Sequence, residues 1–269
     1  FNAARMLGPA VAGLLISSVG SGWVFIINAV SFAAVIGSLL LLRVELLRRA
    51  PRLKATRASL GEGFRYVRQR PDLMAILLML FLIGTFGLNF PIFLSTMSVT
   101  AFHAGAGQYG VLSSVMACGS VAGALLAAGR GQPTLALLLG AAALFGLACA
   151  LAAVMPNYWL FGMMLVVIGI AAQTFTTSVN SSVQLSTAPG MRGRVMAILL
   201  AISAGGTPLG APIVGWVADT FGPRWALGIG ALSGLAAALV GVRYLVKHHQ
   251  LRLNLDLRRW RFAFSSDQH

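Results

Sequence analysis

The sequence predicts an all-α membrane protein of eight spanning helices, and three observations predict it. Of the 269 residues 58% are hydrophobic and only 10% are charged, with a mean hydropathy of +0.84; a soluble domain carries about 25% charged residues. The apolar residues gather into runs that reach the roughly 20 residues a helix needs to cross about 30 Å of hydrocarbon. These runs are continuously apolar rather than alternating, which argues against barrel strands, and an open sheet edge cannot be satisfied in lipid.

The runs fall at roughly residues 3–19, 23–42, 73–98, 107–128, 134–154, 158–182, 195–218 and 225–246. The first two read as a hairpin turned at Gly20-Ser-Gly22, and the last two repeat it. Sliding residues 8–31 onto 210–233 without a gap pairs Gly8 with Gly210, Gly13 with Gly215, Gly20 with Gly222, Trp23 with Trp225, Ile27 with Ile229, Ala29 with Ala231 and Ser31 with Ser233. Two copies of one hairpin, 202 residues apart, indicate a duplicated bundle in which this hairpin ends each half. Because four spans stand between the linker and the second copy, four absent spans are expected before the first. Phe1 follows neither a basic leader nor a small-residue cleavage site, so no signal peptide is expected and a missing upstream segment is.

Residues 1–42 are therefore expected to close an N-terminal half, 43–72 to form a linker, 73–246 to form a C-terminal half and 247–269 a basic tail. Within the linker Ser59-Leu-Gly-Glu62 resembles a capping box, and Leu60, Phe64 and Val67 fall on one helical face before Pro71 stops the run. With Arg65, Arg68 and Arg70 opposite, such a helix would lie along the interface rather than cross it; a plain solvated linker is the alternative. The tail, with Trp260 and Phe262 among arginines, reads either as an interfacial anchor or as a free end.

The net charge of +14 is a matter of placement. If Arg5 lies inside and the chain crosses eight times, 19 of the 20 Lys and Arg residues fall inside and only Arg224 falls outside. That is the bias that orients membrane proteins, and one span more or fewer would scramble it. No basic stripe is interleaved with stacking aromatics, so nucleic acid is not an expected partner. Outer connections are short, at Gly20–Gly22, Pro156-Asn157 and Asp219–Pro223, which makes sequential helices antiparallel neighbours. Small residues such as Gly119 and Gly123, or Gly206 and Gly210, allow close backbone approach, and Cys118 and Cys149 are expected to pack between helices.

No acidic, basic or histidine side chain lies securely in the middle of a span, and the four histidines lack the spacing of a metal site. Membrane enzymes need clustered acids, metal ligands or a nucleophile with its base, so neither catalysis nor a metal is expected. The interior does hold uncharged polar groups. Gln173, Thr176, Thr177, Asn180 and Gln184 follow helical spacing down one side of a span. Such a stripe is costly against lipid and must face either a watery cavity or other helices. Asn89, Phe90 and Pro91 stand mid-span, where the proline leaves the Gly87 carbonyl free to bind something or to bend. A discontinuous helix carrying Asn and Phe can line a transporter's binding site; a packing kink is the other reading. Pro208 and Pro212, within Gly205-Gly-Thr-Pro-Leu-Gly-Ala-Pro212, read as a hinge.

These residues resemble the major facilitator superfamily, which has twelve helices in two six-helix halves. Gly8-Pro9 with Gly13 resembles the glycine-proline motif of the fifth helix in antiporter branches. Ala128-Gly-Arg130-Gly resembles a degraded loop motif after the eighth helix, and Pro189-Gly-Met-Arg192-Gly-Arg194 is similar to the inner loop before the eleventh. With Glu62-Gly-Phe-Arg65-Tyr-Val-Arg68 and Asn89-Phe-Pro91, the set most resembles bacterial drug and siderophore exporters of the enterobactin and macrolide efflux type, over most of the chain to about Lys247.

The resemblance implies a partial major facilitator fold, with the eight spans equivalent to helices five to twelve. It implies a secondary transporter that exports small amphipathic molecules by alternating access; an importer of the same fold, or a transport-inactive receptor or scaffold, are the alternatives. It further implies proton entry as the driving force, with no cofactor and with the coupling acids on the absent first and fourth helices. The complete protein is expected to be a monomer in the bacterial cytoplasmic membrane, with linker and tail cytoplasmic and the lipid bilayer and a small-molecule substrate as partners. Asn89, Phe90, Gln173, Thr177, Asn180 and Gln184 are the candidate substrate path. Gly8, Pro9, Gly13, Pro91, Arg130, Arg192, Arg194, Pro208 and Pro212 are the candidate hinge and motif positions.

Overall fold

The computed structural model describes residues 15, 21–42, 58–128 and 133–248. The expected span 3–19 with Gly8, Pro9 and Gly13, most of the linker, Arg130 and the basic tail lie outside the described residues. The described residues form helices and no strand, and seven helices are long and apolar enough to cross a membrane. The all-α membrane architecture expected from composition is the one observed.

In chain order the helices are α1 (Ser21–Leu40), α2 (Ala58–Gln69), α3 (Pro71–Leu82), α4 (Phe90–Thr96), α5 (Ala106–Ala128), α6 (Leu135–Val154), α7 (Tyr158–Ser186), α8 (Arg192–Phe221) and α9 (Pro223–His248). The expected span 73–98 is built from four pieces, since π-helical turns at Ile83–Gly87 and Met97–Ala101 follow α3 and α4. Two helices start at side-chain caps, within a residue of where their apolar runs begin. Thr134 accepts from the Leu137 amide at 3.3 Å to start α6, and Asn157 accepts from the Leu160 amide at 2.9 Å to start α7. Only Gly222 separates α8 from α9; its φ of 101° suits glycine, and Pro223 follows at the first position of the next helix.

Seven of the eight Lys and Arg residues among the described ones cluster at one end of the bundle, and Arg224 lies at the other. Near that other end Trp159, Trp216 and Trp225 are all well exposed, as an aromatic belt at a membrane boundary would be. The helix α1 is exposed around its circumference, with none of its apolar window buried, a state that lipid solvates without cost.

The remaining spans share one core of fully buried Phe93, Phe145, Phe161, Phe175, Met79 and Met97, with leucines around them. In lipid such a core is held by close packing rather than by exclusion of water, and glycine sets how close the helices come. At the α5–α7 crossing a Cβ on Gly119 would run into the Val166 carbonyl, and one on Gly123 would stand 2.7 Å from that of Ile170. At the α6–α9 crossing a Cβ on Gly234 would lie 2.6 Å from Gly146 Cα. The expectation that Cys118 packs between helices does not hold: it is exposed on α5, whereas Cys149 is buried.

The linker helix α2 forms as expected, but its buried face differs. Gly63 and Val67 are buried with Tyr66 and Arg70 half-buried, while Phe64 is exposed. Glycine decides this, because a Cβ on Gly63 would stand 3.2 Å from Arg194 Cβ and 3.3 Å from Ile198 Cδ1, so this face alone can lie flat on α8. Glu62 pairs across to another helix, with Arg194 at 2.9 Å. Arg194 sits in the first turn of α8, where its charge opposes the helix dipole and no acid stands nearby on the same helix, so Glu62 supplies the missing anion. Pro71 does not merely stop α2; it opens α3, with Asp72 in the favourable first turn. Arg70 grips Asp72 through two bonds, Nε to Oδ1 at 2.9 Å and Nη2 to Oδ2 at 2.6 Å, and these hydrogen bonds hold its pKa above the ordinary arginine value.

Two substitutions separate packing from helix propensity. Gly119→Val is expected to destabilise the detergent-solubilised protein by about 1–3 kcal/mol through overpacking, seen as a lower thermal midpoint. Gly140→Ala, where nothing lies within 4 Å, should leave the midpoint unchanged or raise it.

Candidate functional site

The polar stripe lies on α7, whose opposite face supplies core. Ala172, Phe175, Val179 and Val183 are buried, whereas Gln173, Thr176, Thr177 and Asn180 are half-buried and Gln184 is exposed. The stripe thus lies at the edge of the bundle that the described helices form, and Gln173 still meets α5, where a Cβ on Gly123 would stand 3.2 Å from Gln173 Cβ. Its groups bond within their own helix: Gln173 Nε2 donates to Thr177 Oγ1 at 3.2 Å, Thr176 Oγ1 to the Ala172 carbonyl at 2.8 Å, and Asn180 Nδ2 to the Thr176 carbonyl at 2.9 Å. Each amide commits one donor in this way and keeps a second N–H and an oxygen as further hydrogen-bonding groups. The result is a strip of neutral donors and acceptors along about three turns of α7.

Asn89 and Phe90 occupy a different place. After the π turn the chain leaves the helical path at Leu88 and Asn89 and resumes it at Phe90. Leu88 N–H donates to the Ile83 carbonyl at 2.9 Å, and the Asn89 carbonyl accepts from Ile92 and Phe93 N–H at 3.0 and 3.1 Å, so the break is spanned from both sides. The Asn89 side chain donates to the Thr85 carbonyl at 2.7 Å. A side-chain amide thus supplies the Thr85 carbonyl with its partner at the break. Asn89 is only 1% exposed, and its contacts are with α8, while Phe90 stacks edge-on against Phe93 and against Phe145 of α6 at centroid distances of 5.9 and 6.2 Å. The structure thus brings Gln173, Thr177, Asn180 and Gln184 together on one face and sets Asn89 and Phe90 in the core of the broken span.

The break is seated on α8 by two glycines. A Cβ on Gly206 would stand 2.9 Å from Thr85 Oγ1, and one on Gly210 would run into the Thr85 carbonyl and lie 3.2 Å from Asn89 Nδ2. On the other side a Cβ on Gly87 would be 2.8 Å from Ser233 Oγ. Pro208 and Pro212 lie on the exposed side of α8, which runs without interruption through both. Thr85 Oγ1 and Asn89 Oδ1 are buried without a hydrogen-bond partner, an arrangement that costs about 1–3 kcal/mol per group. A π turn, a proline and two orphaned oxygens in one segment mark a place retained at a cost to stability, as functional discontinuities often are. The role of Thr85 was not read from the sequence; the signal for it was the Gly206–Gly210 spacing, which presents two gaps on one helix face.

At the basic end a cavity of about 330 Å³ opens between α3, α6, α7 and α9, with Asp72, Ser182, Ser186 and Tyr244 as its polar lining. Arg192 is exposed at the start of α8, and Arg194 is held by Glu62. Among the described residues no group of His, Cys, Asp and Glu could hold a metal.

Seven apolar spans, one of them broken and one carrying a half-buried polar stripe, define a multi-pass membrane protein. The chain belongs to the family described as transmembrane secretion effector, of the major facilitator type, whose match covers residues 1–261. Neither a curated protein nor a solved structure matches it.

The seat of the break can be tested on one helix. Gly210→Ala, which sets a methyl group against the Thr85 carbonyl, should lower the thermal midpoint, whereas Gly215→Ala, with nothing within 4 Å, should not. Overpacking of about 1–3 kcal/mol sets the scale of the difference.

Proposed function

We propose that the protein is a secondary active transporter that exports small amphipathic molecules by alternating access, and that the outward stripe of α7 lines its path. The carrying observation is that Gln173, Thr177 and Asn180 are only half-buried and Gln184 is exposed although they lie on a spanning helix, where polar groups facing lipid are costly. A water-filled path removes that cost, and the family's transport role supports the reading. Neutral amides and hydroxyls suit amphipathic substrates, which bring apolar bodies and a few polar groups. In this proposal Asn89 and Phe90 act through the broken span, which can change shape where Asn89 replaces a missing helical bond. Proton entry drives export and no cofactor takes part, as the resemblance to drug and siderophore exporters implies. The complete protein works as a monomer in the bacterial cytoplasmic membrane, with linker and tail on the cytoplasmic side, a placement that the positive charge at one end of the bundle favours.

Cysteine replacement in the intact protein tests the path. Cysteines at Gln173, Thr177, Asn180 and Gln184 should react with membrane-permeant polar thiol reagents, and substrate should slow the reaction. Cysteines at Phe175, Val179 and Val183, and at the enclosed Asn89, should stay unreactive. Silence at all four stripe positions would assign the stripe to helix packing.

A further inference from the structure

The linker helix α2 is fixed on one side and bare on another. Its fixed side holds the ends of three spanning helices: Glu62 pairs with Arg194 of α8, the Tyr66 hydroxyl accepts from the Ala188 amide just beyond α7 at 3.2 Å, and Arg70 donates to the Ser186 carbonyl at 3.2 Å while gripping Asp72 of α3. Partners at the ends of spans hold α2 at the level where the chain leaves the hydrocarbon. On its bare side Phe64 is 61% exposed, and Arg65 and Arg68 stand exposed beside it, Arg68 one helical turn from Phe64.

A phenyl ring at that depth, next to two guanidinium groups, matches a lipid surface better than it matches water. The ring can enter the headgroup boundary, and the arginines can run their stems along it and put their charges on phosphate. We propose that α2 is an interfacial strap that binds anionic lipid headgroups through Arg65 and Arg68, with Phe64 as its anchor, while Glu62, Tyr66 and Arg70 tie it to α7 and α8. Lipid composition then acts on the same two helices that carry the polar stripe and the glycine seat of the broken span. The inference rests on the membrane fold and is independent of what the protein transports.

The test uses the intact protein in nanodiscs, with Cys118→Ala in place because Cys118 is exposed while Cys149 is buried. A bimane label on Phe64→Cys reports its surroundings through emission colour and through quenching by shallow doxyl-labelled lipids. Emission should shift to the blue of that from a label in water, and doxyl phosphatidylglycerol should quench several-fold more than doxyl phosphatidylcholine at low salt. Each arginine near a charged surface is worth about fivefold in anionic lipid preference, so R65Q/R68Q should bring the two lipids to equal quenching with the blue shift retained. No quenching by either lipid would overturn the proposal, since the helix would then face water or another protein segment. Equal quenching before the arginines are replaced would overturn it, as would a phosphatidylglycerol preference that survives their replacement.

Discussion

In the hydrocarbon of a bilayer no water completes an unmade hydrogen bond, so each polar group of a spanning segment must be satisfied within the protein or be opened to a wet surface. The described structure depends on how this constraint is met at two places. The span Pro71–Ala101 leaves the helical path at Leu88 and Asn89. It survives there because Asn89 bonds the Thr85 carbonyl and because Gly206 and Gly210 let α8 close over the gap. On α7 the polar side chains bond once to their own helix and stay half-buried or exposed. One polar segment is sealed and the other is partly exposed.

Glycine makes the sealed arrangement possible, and it does so in the same way throughout the bundle. Where helices touch at Gly119, Gly146, Gly210 and Gly234, a side chain would collide with the backbone of the neighbour. Lipid offers little gain from burying apolar surface, so stability follows from contact distance, and small residues shorten it. These tight crossings join α5 to α7, α6 to α9 and the broken span to α8. The polar stripe is thereby carried on a helix whose back is closely packed, an arrangement that holds the polar groups in register.

Most of the architecture was legible in the sequence because apolar run length is a direct image of bilayer thickness. The seven described spans follow from it, and the small residues Gly119, Gly123, Gly206 and Gly210 marked the close contacts. Periodicity alone also put Gln173, Thr177, Asn180 and Gln184 on one face. What periodicity could not supply was which face of a helix meets a neighbour. For α2 the three apolar residues Leu60, Phe64 and Val67 suggested one face, yet Gly63 turned the helix so that Phe64 points away. The apolar runs did not reveal that Asn89 spends its amide on Thr85, because the π turn that brings them together has no hydrophobic signature. The tie of Arg70 to Ser186 joins residues 116 positions apart and is visible only in the fold.

The contrast between a sealed and an open amide can be measured without altering either one. With asparagine side chains labelled by nitrogen-15 in the intact protein in nanodiscs, proton exchange with water is read separately for Asn89 and Asn180 by NMR. Asn180 is predicted to exchange readily and Asn89 to remain protected, although both lie on spanning segments. Protection of both, or exchange at Asn89 as fast as at Asn180, would contradict the division of this protein into a sealed break and an open path.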